Sequence, residues 1–173
     1  MMDQRTSTTR RSLLVGAAGG LVAASAQAAP VPALSMQDLK KEADVACLYH
    51  CDYGDHARFA QTLNNISNHY SAYGADPFGL QLVIVAHSVA IKYFLATLDD
   101  TPWKDEVIPP KTFDRVADLA KSGLAVYLCE ITFQRLKIDK NKVFEAPFIS
   151  FVPSGVATVA ALQAKGFAYL KVG

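Results

Sequence analysis

The sequence predicts a single α/β domain of about five mostly parallel strands with helices on both faces, and three observations carry that prediction. Several segments are near-continuous apolar runs, Leu80–Ala86 (LQLVIVA) above all, and a strand apolar on both sides is one buried on both faces. These runs alternate with segments whose apolar residues recur at helical spacing. Capping and turn residues, among them Asp55, Gly123, Ser154 and Gly166, stand at the junctions.

Taken in order, 29–44 reads as a linker and a short arm, in which Ser35 to Asp38 suits the cap of a brief helix. Val45–Tyr49 is the first strand. Asp55 then caps a helix carrying Phe59, Leu63, Ile66 and Tyr70 on one stripe, which ends near Ser71–Gly74. Leu80–Ala86 is the second strand, and a second, more apolar helix is expected over Val89–Leu98. Pro102, Trp103, Pro109 and Pro110 make Asp99–Pro110 a loop, in which Trp103 is either a lid or an interface anchor. Phe113, Val116, Ala117 and Ala120 mark a helix closed by Gly123. Leu124–Leu128 and Phe148–Val152 are the third and fourth strands. Ser154 caps a last helix to Lys165, Gly166 ends it, and Phe167–Leu170 is a short fifth strand. The domain proper is expected over 45–173.

The first 28 residues read differently. A polar basic segment ends in Thr9-Arg10-Arg11-Ser12-Leu13-Leu14, an uncharged apolar stretch runs from Leu13 to Ala26, and Ala26-Gln27-Ala28 offers a small-x-small cleavage site. This is the pattern of a twin-arginine signal peptide. Its apolar run is about 14 residues, short of the roughly 20 that span a bilayer, so no membrane anchor is expected after cleavage. The protein is therefore expected to be periplasmic.

Of 17 basic and 16 acidic residues, the signal removes Arg5, Arg10, Arg11 and Asp3, leaving 14 and 15. No basic excess remains for a nucleic-acid partner. About 145 residues bury a core without disulfide staples. Cys47, Cys51 and Cys129 are an odd number of thiols for an oxidising compartment, so at least one is free, modified or paired between chains.

In an open parallel sheet, chemistry collects at the carboxyl ends of the strands. His50 and Cys51 follow the first strand, His87 and Ser88 the second, Cys129 and Glu130 the third, and Pro153-Ser154-Gly155 the fourth. Two imidazoles and two thiols thus share one edge. Cys129, before an expected helical turn, is placed where a helix N-terminus favours the thiolate, and His50 or His87 would be its thiolate or proton partner. The plainer alternative is a small buried apolar residue. Cys47 and Cys51 on one extended strand stand about 13 Å apart, too far for a disulfide. Cys51 becomes a resolving thiol for Cys129 if the first and third strands are neighbours, as in the order 2-1-3-4-5. His50, His87 and one or both cysteines also have ligand chemistry for zinc or copper, though no CxxC spacing supports a metal. His56 and His69, on the first helix, read as solvated. No GxGxxG, GxxxxGK[ST], GxSxG or HExxH is present, so no organic cofactor is expected.

The segments Leu63-Asn64-Asn65-Ile66-Ser67-Asn68-His69, Val85-Ala86-His87, Gly123 to Cys129 and Phe151-Val152-Pro153-Ser154-Gly155-Val156 through Leu170 resemble the DsrE/DsrF-like family. That resemblance implies a flavodoxin-like three-layer sandwich of five parallel strands, assembly as a trimer or hexamer, and sulfur transfer through a persulfide on one cysteine. By its place after the third strand that role falls on Cys129, with sulfur donor and acceptor proteins as partners. Two positions depart from the family pattern: Glu130-Ile131-Thr132-Phe133 replaces a small Ala-rich run, and Ser88 stands where glycine is common. A sulfurtransferase-like carrier is thus the first functional expectation. A non-catalytic oligomeric module for a small ligand or metal is the second, and a thiol redox protein using Cys51 and Cys129 the third.

Overall fold

The structure is a computed structural model that describes residues 31–74, 76 and 78–173, so the signal peptide expected over 1–28 lies outside the described residues. Five strands form one parallel sheet: β1 (Val45–Cys51), β2 (Leu80–Ala86), β3 (Ala125–Cys129), β4 (Ile149–Val152) and β5 (Ala168–Leu170). The helices are α1 (His56–Ala72), α2 (Thr112–Ala120), α3 (Glu130–Leu136) and α4 (Gly155–Ala164). The α/β class and the five strands are as the sequence predicts.

Strand order is β4-β3-β2-β1-β5. The order 2-1-3-4-5, on which a Cys51–Cys129 pairing depends, is not the one found, because β2 and not β1 lies beside β3. Local apolar patterns say nothing about which neighbour a strand takes. The first three crossovers all step the same way across the sheet, and right-handed connections stepping one way leave their helices on one face. The fourth crossover runs back to the far edge and leaves α4 on the other.

The packing follows that division. Phe59, Leu63, Ile66 and Tyr70 of α1, Val116 of α2 and Phe133 of α3 join one buried cluster with Leu82, Ile84 and Ala86 of β2. Leu162 of α4, with Leu39 and Phe167, joins a second cluster with Val83 and Val85. Alternate residues of β2 thus feed opposite cores, as the period of two demands. Each fully buried Leu, Ile or Phe contributes about 1.5–3 kcal/mol.

Three local outcomes differ from expectation. The segment expected as a helix over Val89–Leu98 is a 3-10 turn, Ser88–Phe94. Its residues Ala90–Leu95 are all buried, which leaves no polar face, and Phe94 and Ala96 instead exchange backbone hydrogen bonds with Phe144 and Lys142 (3.0 and 2.7 Å). Trp103 is neither lid nor anchor in this chain: it is buried in the first core. The arm runs beside β4, with Phe151 and Leu34 amides donating to Pro32 and Phe151 carbonyls at 2.8 Å.

Candidate functional site

The topology fixes where a cleft can open. β3 feeds α3 on one face while its neighbour β4 feeds α4 on the other, so the two chains part at the carboxyl edge between them. A cleft of about 490 Å³ lies there, lined by Cys129, Ile131 and Leu136 on one wall, Ser154 and Val156 on the other, and His87 at its inner end.

The period of two also decides which strand-end residues can meet. Ala46 and Leu48 face the α4 side and Cys47 and Tyr49 the α1 side, so His50 belongs with the first pair and Cys51 with the second. By the same count His87 and Cys129 fall on the α4 side. His50, His87 and Cys129 share one face of the edge, and Cys51 is on the opposite one.

Cys51 is also separated from Cys129 by the whole of β2. Two strand spacings are nearly 10 Å, beyond the roughly 7 Å a disulfide allows. All three cysteines are free thiols. Cys51 is wholly buried, its sulfur 3.5 Å from the Tyr53 hydroxyl, and burial pushes its pKa up to about 12. The expected resolving pair and the redox reading that depends on it are therefore overturned.

Cys129 ends β3 and precedes α3. Gly155, the first residue of α4, lies between it and His87. A Cβ on Gly155 would stand 2.9 Å from His87 Cβ and 3.1 Å from Cys129 Cβ, so only glycine lets the two approach this closely. Ser154 caps α4, accepting from the Ala157 amide at 3.3 Å. The carboxylate of Glu130, next to Cys129, pairs with Lys140 and so does not stand as a bare charge beside the sulfur. Ser88, past His87, has φ 55°, in the left-handed region, and its amide donates to Thr132 Oγ1 at 3.0 Å.

Around the imidazoles a polar cluster has formed. His50 Nε2 and His87 Nε2 are 2.7 Å apart, and His50 Nδ1 is 2.8 Å from the Tyr169 hydroxyl. Asp52 Oδ2 lies 3.9 Å from His50 Nε2 and accepts from Lys171 Nζ at 2.8 Å. Burial lowers the pKa of both histidines, opposed by the Asp52 carboxylate. For Asp52 burial works upward, but Lys171 and His50 outweigh it and the net shift is down.

Asp52, Tyr169 and Lys171 join this cluster without being expected from the sequence. Asp52 was within reach, since residues i and i+2 at a strand end point the same way and His50-Cys51-Asp52 is such a triplet. The other two arrive because β5 pairs with β1, which no local signal announces. The cysteines do not join the histidine cluster. His56 and His69 are half-buried and bonded to Tyr93 and Tyr49 hydroxyls at 3.1 and 3.2 Å, not solvated.

Comparison with known proteins places this geometry in context. The model of the DsrE/DsrF-like family matches residues 37–172. Among solved structures, that of a protein of unknown function from Methanobacterium thermoautotrophicum is similar, with a TM-score of 0.59 and 20% identity, over 74% of this chain and 99% of that one. At that identity the likeness is one of fold. No curated protein matches.

Proposed function

This chain belongs to the DsrE/DsrF-like family, and from that premise we propose that it is an exported sulfur carrier that holds sulfane sulfur as a persulfide on Cys129. The observation that carries the proposal is the position of Cys129. Of the three thiols it alone lines the cleft at the point where α3 and α4 part.

The chemistry is a pair of displacements. The Cys129 thiolate attacks the outer sulfur of a donor persulfide, forming Cys129 Sγ–S and releasing the donor thiolate. An acceptor thiolate then attacks that outer sulfur, the new S–S bond forms as the Cys129 bond breaks, and the Cys129 thiolate returns. No net oxidation occurs, and no second cysteine is needed. Arg135 also lines the cleft and gives it a cation. His87, behind Gly155, supplies the nearest imidazole for the proton that leaves the thiol.

The twin-arginine pattern supports action in the periplasm after folded export. Ile131, Leu136 and Val156 leave an apolar rim on the cleft, which suits a trimer or hexamer or a docked donor or acceptor protein.

Polysulfide treatment followed by intact-mass spectrometry tests the carrier reading. The protein should gain mass in steps of about 32 Da, reversed by a reductant. Cys129→Ser should abolish the steps and Cys51→Ser should leave them. An adduct that survives Cys129→Ser would sink the proposal.

A further inference from the structure

We propose that His50, Asp52 and His87 form a binding site for one divalent transition-metal ion of the zinc class, with two imidazole nitrogens and one carboxylate as ligands and an open remaining position. The three donor atoms lie within 4.8 Å of one another, and each residue is half-buried. They come from two adjacent strand ends, so the sheet, rather than a flexible loop, sets their spacing.

The two Nε2 atoms face each other at 2.7 Å. Two imidazoles on one zinc, with bonds of about 2.0–2.1 Å, place their nitrogens roughly 3.0–3.4 Å apart. A parting of about half an ångström, within side-chain rotation, therefore admits the ion. Without an ion the 2.7 Å contact requires a proton on one of the two nitrogens. The Tyr169 hydroxyl can donate to or accept from His50 Nδ1; in the tautomer that binds metal through Nε2, Nδ1 donates to it, His50 Nε2 presents its lone pair, and His87 Nε2 carries the proton of the 2.7 Å contact. On ion binding that proton goes to solvent and His87 takes one up at Nδ1, so both rings stay neutral. A metal-bound histidine usually donates its other ring N–H to an oxygen acceptor, and the Tyr169 hydroxyl stands in that place for His50.

Asp52 adds the negative charge that two neutral rings lack. Its carboxylate is held by Lys171, which neutralises it while the site is open and must release it to the ion. The open position is the hallmark of sites that exchange a water or an exogenous ligand.

The site shares His87 with the persulfide reading but uses none of the thiols, so zinc binding by Cys129→Ser and sulfur loading of His50→Gln tell the failure of one from the failure of the other. The test is zinc titration of the chelator-stripped full chain by competition with a chromophoric chelator. One equivalent should bind. His50→Gln and His87→Gln should each weaken binding about 100-fold or more, and Tyr169→Phe about 10-fold, as loss of an outer partner does. Lys171→Gln should tighten it severalfold by freeing Asp52. X-ray absorption at the zinc edge of the unaltered protein should show nitrogen and oxygen neighbours with imidazole scattering. That measurement decides the matter even where a histidine variant loses its circular dichroism. A sulfur neighbour at about 2.3 Å, no binding at one equivalent, or folded His50→Gln and His87→Gln variants of undiminished affinity would each overturn the site.

Discussion

Cys51 and Cys129 end strands two places apart in one parallel sheet; both are buried, at 0% and 5% exposure, but only Cys129 borders a cleft. Cys51 is the last residue of β1 on the α1 side, where Phe59, Leu63 and the other large residues of the first core close over it. Its sulfur sees the Tyr53 hydroxyl and no solvent. Cys129 is the last residue of β3 on the α4 side, and just there α3 and α4 diverge. Position at a strand end is thus not enough to bring a thiol to a cleft. The side of the sheet and the direction of the next connection decide it.

The comparison breaks most readily by thiol labelling of the folded protein. Cys51 reacts only when the first core opens, so Cys129 should alkylate at least ~100-fold faster. Peptide mapping after a timed pulse reads both sites at once. Equal rates would mean that the cleft is closed in solution, or that β1 frays.

Gly155→Ala sharpens the same contrast from the Cys129 side. The added methyl would press on His87 and Cys129 Cβ atoms at 2.9 and 3.1 Å, and backbone on both sides resists a shift. Overpacking of this kind costs about 1–3 kcal/mol. The midpoint of denaturant unfolding should fall accordingly, and labelling of Cys129 should change while Cys51 stays protected. An unchanged midpoint would show that α4 can slide.

The Cys51 side has a pH signature. Its folded pKa, about 12, lies above the ordinary thiol value of 9.0, so above pH 9 the folded state holds a proton that the unfolded state releases. The stability this contributes is whole below pH 9 and is lost as pH rises toward 12, with a slope of at most about 1.4 kcal/mol per pH unit. Cys51→Ala should flatten the decline between pH 9 and 10, where tyrosines contribute least. If wild type and variant decline in parallel, Cys51 is not shut in as described.

These contrasts also show what the sequence made legible. β2 is where its apolar run said, and Asp55, Gly123, Ser154 and Gly166 mark true junctions, because caps and glycine turns act through local backbone chemistry. Cys129, His50 and His87 are legible because they stand at or beside strand ends that apolar runs mark. The pairing of Cys51 with Cys129 failed because it needed strand order, which depends on how whole crossovers lie. Tyr169 and Lys171 were beyond reach for the same reason. Asp52 was legible in principle, through its alternation with His50.

The smallest effect tests why Ser88 stands where glycine is common in the resembling family. Its φ of 55° is a conformation that costs an L-residue about 1–2 kcal/mol, while its amide is fixed on Thr132 Oγ1. Ser88→Gly relieves that cost and keeps the amide, but a glycine gains about 0.4–1 kcal/mol of unfolded-state freedom. The balance is a net stabilisation of about 0.5 kcal/mol. Ser88→Val, β-branched at positive φ, should instead destabilise by about 1–2 kcal/mol. Chemical denaturation of the three proteins side by side resolves the order Gly, Ser, Val. A reversed order would mean that residue 88 leaves the left-handed region in solution, and with it the fixed turn that holds His87 against Gly155.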